Sequence, residues 1–258
     1  MKIFMFISLL LIALAAAAQD PPAGILNEIG VDQKLDATVP LNLRFRDESG
    51  AEVELGSFFR GKPVILSLVY YECPMLCSMT LNGLVKSMRP LTFEPGADFD
   101  VVTVSFDPRE TPQIAAAKKA AYVKDLDRSG AEKGWHFLTG SQDAIQQLTN
   151  SVGYRFKWDD QTEQWAHVSA IMVLTPDGRV SQYLYGIEFS PRDLRLSLVQ
   201  ASQNKIGTLV DRILLYCYHY EPETGKYGLV IMNAVRLAAI GTVCALAAFI
   251  IFSRRREA

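Results

Sequence analysis

The 258-residue chain contains little cysteine and little histidine, four and three residues respectively. Four cysteines are too few for a secreted scaffold that depends on disulfides, and a chain of this length can bury a core that folds without them. The sequence also has no internal repeat and no low-complexity tract. These absences favour an ordinary globular domain over a repeat array or a disordered chain.

Runs of positive charge are absent from residues 19–228, which carry 21 basic and 27 acidic side chains and a net charge of −6. Affinity for nucleic acid comes mainly from Lys and Arg side chains that neutralise phosphates. We therefore expect no nucleic-acid partner.

The N-terminal segment is strongly apolar. Residues 3–18 follow a charge at Lys2, are apolar apart from Ser8 and close on the small residues Ala16, Ala17 and Ala18. This pattern is typical of a secretory signal peptide over residues 1–18, with an uncleaved anchor as the alternative. Both interpretations predict that the following residues are exported.

A second apolar run covers residues 229–252, is interrupted by Arg236, contains Cys244 and is followed by the basic tail 253–258. As a helix it would be about 36 Å long, enough to cross a bilayer. The positive-inside rule would place the tail in the cytoplasm. We therefore expect a C-terminal transmembrane helix that anchors an extracytoplasmic domain, in a bacterial periplasm or an equivalent compartment.

The region between these ends has the pattern of an α/β domain. We interpret residues 19–40 as an extended lead-in, 41–203 as the domain and 204–228 as a juxtamembrane helix and linker. The domain begins with a hairpin, continues as β-α-β-α and closes as strand-strand-helix. This order predicts a thioredoxin-like fold, with a mixed central sheet flanked by helices and an N-terminal hairpin extension. We expect buried strands over 63–70, 99–106 and 168–174. We expect helices that start at Thr111, Ser141 and Ser190.

Cys73 and Cys77 follow the first buried strand and open a helix over residues 74–88. Sites in α/β sheets form at the carboxyl ends of strands. With Cys73 as N-cap and Pro74 at the first helical position, both sulfurs would lie near the positive end of the helix dipole, which favours thiolate. Thiol–disulfide enzymes of this fold separate their cysteines by two residues, whereas the three residues here suit two thiolates on one ion. A pair of structural cysteines or an inert disulfide is the alternative.

His167 immediately precedes the buried strand 168–174. In a thioredoxin-like sheet the start of this strand lies beside the N-terminus of the first helix, within reach of both sulfurs. Two thiolates and an imidazole suit Cu(I), Cu(II) or Zn(II) better than hard cations. Taken alone, His167 would be a surface histidine.

These residues resemble the Sco/SenC family of copper-binding proteins, which help to assemble the dinuclear copper centre of cytochrome c oxidase. The resemblance spans residues 41 to about 200 and rests on Cys73–Cys77, on the segment 105–112 and on His167 before a strand that ends at 175–178. It implies that Cys73, Cys77 and His167 bind one copper ion and that the copper-bearing oxidase subunit is the partner.

Two features depart from the family pattern. Many members carry an acidic residue just before the histidine, where this chain has Ala166, so support for the imidazole must come from elsewhere. Many members are also anchored by an N-terminal helix, whereas the anchor expected here is C-terminal.

We interpret the chain as a metallochaperone rather than an enzyme. The alternative is a thiol–disulfide reductase that keeps oxidase cysteines reduced, with Cys73 as the attacking thiolate and Cys77 as the resolving thiol. A peroxidase of related fold would need a threonine three residues before its cysteine, where this chain has Tyr70.

Five further residues have weaker claims to a function. Cys217 and His219 could form a second metal site, although Cys217 also continues an apolar helical face. His136 is interpreted as a strand residue and Asp107 as part of a turn. Met75 is interpreted as a hydrophobic lid, with a thioether ligand as the alternative.

Overall fold

The fold is described from a computed structural model that defines residues 28–206 and short pieces at 220–221, 226–227, 237 and 239–243. The chain separates into two units, Met1–Ile206 and Gly207–Ala258. The first unit contains the predicted domain.

The strands of the first unit are short, and the central ones are fully buried because they consist mainly of β-branched and large apolar residues. In chain order they are β1 Gly30–Val31, β2 Arg44–Arg46, β3 Glu52–Glu54, β4 Val64–Val69, β5 Asp100–Ser105, β6 Trp135–Leu138, β7 Tyr154–Arg155, β8 Lys157–Asp159, β9 Gln164–Ala166, β10 Ala170–Leu174 and β11 Val180–Tyr185.

A five-stranded mixed sheet with the order β11-β10-β4-β5-β6 forms the centre of this unit. β4, β5 and β6 are parallel, whereas β10 pairs antiparallel with both β4 and β11. Every residue of β4, β5 and β10 is buried, as expected for strands that are covered on both faces. The remaining strands form the two-stranded pairs β1–β7, β2–β3 and β8–β9.

Five α-helices and one 3-10 turn accompany the sheet in the described part of this unit. They are the 3-10 turn Leu55–Phe58 and the helices α1 Leu76–Met88, α2 Pro112–Leu126, α3 Ala131–Gly134, α4 Gln142–Ser151 and α5 Pro191–Ser202. The Ser141 hydroxyl caps α4 by accepting from the Ala144 N–H, and Ser190 caps α5 by accepting from the Asp193 N–H. The predicted starts of these two helices are therefore confirmed.

The thioredoxin-like α/β arrangement predicted from the sequence is confirmed, including the hairpin β2–β3. Helix α1, however, begins later than expected. Its N-cap is Met75, whose backbone is not helical, and the Cys73 N–H closes a turn by donating to the Tyr70 carbonyl at 3.3 Å. Cys73 thus lies in the turn before the helix. The pairs β8–β9 and β1–β7 were not predicted.

The second unit contains the antiparallel pair β12 Tyr220–Glu221 and β13 Lys226–Tyr227. The predicted transmembrane helix over 229–252 is wrong: in the described parts of the chain, which include residues 237 and 239–243 of this run, no helix has the length and apolar character needed to cross a membrane. Hydropathy alone predicted the span, but spanning also requires a continuous helix of about 20 residues.

The membrane-anchored localisation with a cytoplasmic C-terminus depended on that helix and is corrected with it. Several other predictions lie outside the described residues. They are the signal peptide over 1–18, the helix before 217, the rest of the run 229–252, and the residues Cys217, His219 and Cys244.

Candidate metal centre

The two cysteines of the first unit lie where β4 passes into α1. Cys77 is the second residue of α1 and Cys73 lies in the preceding turn, and both are buried free thiols. The Tyr70 N–H points at Cys77 Sγ at 3.3 Å, and the Cys77 N–H points at Cys73 Sγ at 3.4 Å. The chain reversal between strand and helix therefore aims backbone donors at both sulfurs.

The pKa values of the two thiols are shifted in opposite directions. Hydrogen bonding from the Cys77 thiol lowers the pKa of Cys73 to about 3, and His167 and the backbone N–H groups of Cys77 and Met75 contribute in the same direction. Burial and the neighbouring Cys73 sulfur raise the pKa of Cys77 well above its ordinary value. At neutral pH the pair therefore consists of one thiolate and one thiol.

His167 reaches the cysteines from the loop before β10. Its Nε2 atom is 3.4 Å from Cys77 Sγ, and one ligand atom from each of Cys73, Cys77 and His167 lies within 4.8 Å of the other two. Ligands that sit about 2.0–2.3 Å from one ion are roughly 3.3–4 Å apart, so a small inward movement completes the geometry. The convergence expected from the sequence is present.

The hydrogen bonds of the ring determine which nitrogen is available to a metal. Nδ1 of His167 lies 3.0 Å from the Val168 carbonyl oxygen, which can only accept, so Nδ1 carries the proton. The Tyr154 hydroxyl lies 3.2 Å from the same nitrogen and donates to the same carbonyl at 2.7 Å. Nε2 is therefore the nitrogen that faces the sulfurs, and the polar contacts at Nδ1 provide the support that Ala166 does not.

Aromatic rings enclose the imidazole on its other sides. Phe106 meets His167 edge-on with the ring centroids 5.2 Å apart, and Tyr70 does so at 5.7 Å. His167 as a whole is 9% exposed. This apolar enclosure restricts the orientations of the imidazole and limits access of water to the centre.

Glu110 is a residue of the site that the sequence reasoning missed. Its carboxylate is buried and accepts the backbone N–H groups of Tyr71 at 2.8 Å and Glu72 at 2.7 Å, as well as the Ser105 hydroxyl. Burial raises its pKa despite these hydrogen bonds. Glu110 thereby holds the backbone immediately before Cys73. An acidic residue just after the carboxyl end of β5 was the signal that could have identified it.

Asp107 connects the loop after β5 to the β8–β9 hairpin. Its carboxylate accepts from the Arg109 side chain and from Trp165 Nε1 at 2.8 Å. Burial alone would raise the pKa of Asp107, but the hydrogen bonds from Arg109 and Trp165 outweigh it and the pKa is lowered. The Arg109 guanidinium also stacks over Trp158, 4.5 Å from the ring centroid. Asp107 shapes its turn as expected, and it also fastens the hairpin that leads into His167.

An open cleft of ≈540 Å³ adjoins the metal centre between this hairpin and the cysteine turn. It is lined by Tyr70, Glu72, Pro74, Asp107, Arg109, Trp158, Glu163 and Gln164. His136, the other histidine of the first unit, lies on β6 against Phe58, with the ring centroids 4.4 Å apart. It takes no part in the candidate centre.

A thioredoxin-like domain that carries two thiols at a helix start and an imidazole facing them defines a class of thiol- and metal-binding proteins. The SCO1/SenC family model matches residues 33–201, and the chain belongs to that family. The resemblance seen in the sequence is therefore confirmed.

Individual relatives agree with the family match. The mitochondrial SCO2 homologue of Bos taurus is 32% identical over 130 residues, which cover 48% of this chain and 46% of that protein. This chain thus spans about half the length of that relative. A crystal structure of a protein from Aquifex aeolicus VF5 is 26% identical with a TM-score of 0.59, and covers 67% of this chain and 96% of its own. Arabidopsis thaliana ScoI, solved with copper bound, is 21% identical with a TM-score of 0.51, covers 65% of this chain and 99% of its own, and supports the fold alone.

Proposed function

We propose that this protein is a copper chaperone that binds one copper ion through Cys73, Cys77 and His167. We further propose that it delivers the ion to, or matures, the dinuclear copper centre of cytochrome c oxidase, whose copper-bearing subunit would be its partner. The observation that supports the proposal most strongly is the placement of two sulfurs and the Nε2 atom of His167 within 4.8 Å of one another.

The donor set fits copper as cargo better than it fits zinc as a structural ion. Structural zinc sites are closed by four protein ligands, whereas three residues form this group and, in the described residues, no further histidine, cysteine or carboxylate joins them. Thiolate and imidazole ligands suit copper, and a three-ligand site leaves room for an incoming ligand from a recipient. Transfer then proceeds by ligand exchange.

The test is a copper titration of the purified protein in its reduced and oxidised forms. We expect about one copper per reduced chain and almost none per oxidised chain, because only the reduced form offers thiolates. His167→Ala should sharply weaken binding, whereas His136→Ala, which removes a histidine outside the centre, should not. Unchanged stoichiometry and affinity in His167→Ala would rule out the three-ligand site.

Thiol–disulfide reduction is the second candidate, favoured by the opposite pKa shifts of the two thiols. A thiol with a low pKa and a partner with a high pKa are suited to attack and to resolution respectively. The two functions separate at His167: a reductase lacking this imidazole should still exchange disulfides, whereas copper affinity should fall. Cys73→Ser should abolish both, and Cys77→Ser should trap a mixed disulfide.

A further inference from the structure

Two exposed methionines lie on the helix that carries Cys77. Met75 is 65% exposed and Met79 is 39% exposed. In residues 28–206 the only other large apolar side chain exposed to a similar degree is that of Leu196. Single exposed apolar residues are common and need no explanation. Here, however, two thioethers lie one turn apart beside a candidate metal centre, and such a cluster indicates a function. The exposure of Met75 also contradicts its interpretation as a lid.

The backbone places these side chains at the rim of the centre. Met75 is the N-cap of α1, and the Met79 N–H donates to the Met75 carbonyl at 3.1 Å. This hydrogen bond holds the backbones of the two methionines within one turn of each other, close enough for two flexible side chains to share one ion. Cys77 points into the protein while the methionines lie on the outward face. The cysteines and the methionines are neighbours at Met75, because the backbone N–H of Met75 contacts Cys73 Sγ.

We infer that Met75 and Met79 form an outer binding site for Cu(I), through which the ion reaches Cys73. This inference rests on the proposed function and specifies the oxidation state of the cargo. Thioethers are soft neutral ligands that select Cu(I) over Cu(II) and Zn(II). They bind it more weakly than thiolates, so the ion passes inward.

The inward step is a ligand exchange without electron transfer. A bond between Cu(I) and a thioether sulfur breaks as a bond to the Cys73 thiolate forms, and the copper stays Cu(I). Binding of the second thiolate releases the Cys77 proton to solvent. The outer pair therefore needs no reductant and no oxidant.

The first experiment observes the outer pair directly. The Cys73→Ser/Cys77→Ser variant, labelled with ¹³C at the methionine methyl groups, is titrated with Ag(I), a redox-inert stand-in for Cu(I), and separately with Zn(II). We expect saturable shifts of the Met75 and Met79 methyl signals with Ag(I) and none with Zn(II). The buried Met88 and Met172 serve as internal controls and should not move. If either exposed methyl stays in place while Ag(I) is in excess, the pair is not a site.

The second experiment measures transfer in a protein with intact cysteines. Met75→Leu/Met79→Leu keeps the apolar volume and removes both sulfurs, with Met88→Leu as the matched control on the same helix. We expect anaerobic Cu(I) loading from a chelator to slow several-fold while the final affinity of the inner centre is unchanged. Loading at the wild-type rate would overturn the inference. The assay contains only this protein and the copper chelator, so a methionine pair that served only to contact a partner protein would not change the rate.

The two experiments also distinguish failure of the outer site from failure of the proposed function. If the wild-type protein does not bind copper at the cysteines but the methyl signals of the double serine variant still shift, the inner centre is refuted and the outer pair is supported. Normal copper binding with unmoved methyl signals would refute the outer pair and leave the inner centre.

Discussion

At the scale of single residues, the orientation of the candidate ligand His167 is set by groups that are not themselves candidate ligands. The Val168 carbonyl and the Tyr154 hydroxyl hold the protonated Nδ1 edge of His167, so that its Nε2 edge faces the sulfurs. Groups of this kind typically account for a factor of about 10–100 in metal affinity. The carbonyl belongs to the backbone and cannot be removed by substitution, but the hydroxyl can.

Tyr154→Phe should therefore reduce copper affinity by up to about tenfold, because one of the two polar partners of Nδ1 is lost. It should also cost about 0.5–1.5 kcal/mol of unfolding free energy for the lost hydrogen bond. Affinity is measured by competition with a chelator and stability by denaturant unfolding. Tyr183→Phe is the matched control, since the buried Tyr183 hydroxyl donates to the Val152 carbonyl away from the centre. Equal affinity in the two variants would contradict the positioning role.

The thiolate of Cys73 should make the metal-free protein less stable in acid. Its pKa falls from an ordinary value of 9.0 to about 3 on folding, so the folded state binds fewer protons than the unfolded state between these values. Its contribution to stability is complete above pH 9 and declines as the pH falls through that window. The raised pKa of Cys77 acts with the opposite sign, and only above its ordinary value of 9.0.

The measurement is the unfolding free energy of the reduced, metal-free protein between neutral and acid pH. Wild type should lose more stability over this range than Cys73→Ala. Thiolate absorbance in the ultraviolet should show one thiolate per folded chain at neutral pH. Cys77→Ala removes the hydrogen bond that contributes most to the low pKa, so the Cys73 thiolate should then be protonated at a higher pH. Identical pH slopes in wild type and Cys73→Ala would disprove the assignment.

At the scale of elements, α1 is positioned by a close approach to the loop between β11 and α5. A Cβ atom on Gly83 would lie 1.9 Å from the Ile187 carbonyl oxygen. Glycine is thus required at a helical position that would otherwise favour alanine. Any shift of the helix would also move Cys77, which lies on the same element.

Gly83→Ala should destabilise the protein, although alanine favours an isolated helix by about 1 kcal/mol. Overlap with a backbone carbonyl typically costs roughly 1–3 kcal/mol, and the helix must move to relieve it. Asn82→Ala, an exposed neighbour on the same helix, provides the control and should be neutral or stabilising. Denaturant unfolding measures both variants. A more stable Gly83→Ala protein would contradict this prediction and would show that the loop between β11 and α5 moves away while α1 stays in place.

The elements that were predicted correctly are those whose signal is local. β10 is entirely apolar, β4 is apolar apart from one serine and β5 is rich in valine, and α4 and α5 begin at serines that cap them. The β8–β9 hairpin has no such signal. Its strands are short and partly polar, and it is held by contacts of Trp165 and Trp158 with residues about fifty positions earlier in the chain.

The candidate centre divides in the same way. The spacing of Cys73 and Cys77 and the place of His167 before a buried strand were visible as patterns. Glu110 and Tyr154 were not, because their roles depend on which backbone groups the fold brings to them. The transmembrane prediction rested on side-chain hydropathy alone, and no helix in the described residues has the length and apolar character to cross a membrane.

At the scale of the whole molecule, the centre joins distant parts of the first unit. The turn before α1 contributes two sulfurs, and the loop before β10 contributes an imidazole about ninety residues later. A ligand that binds only when these segments are folded together stabilises the folded state by mass action. Copper should therefore stabilise the entire unit, and the effect should report on all three ligands at once.

With free Cu(I) buffered at about a thousand times its dissociation constant, the stabilisation should be about 4 kcal/mol. For a unit of this size that corresponds to a rise in Tm of about 8–16 °C. Calorimetry under anaerobic conditions checks this for the reduced protein. The oxidised protein and the Cys73→Ser/Cys77→Ser variant should show almost no shift, because neither offers the two thiolates of the candidate centre. His167→Ala should show a smaller shift, since two thiolates bind without the imidazole. A full shift in the double serine variant would mean that copper stabilises the fold from somewhere other than this centre.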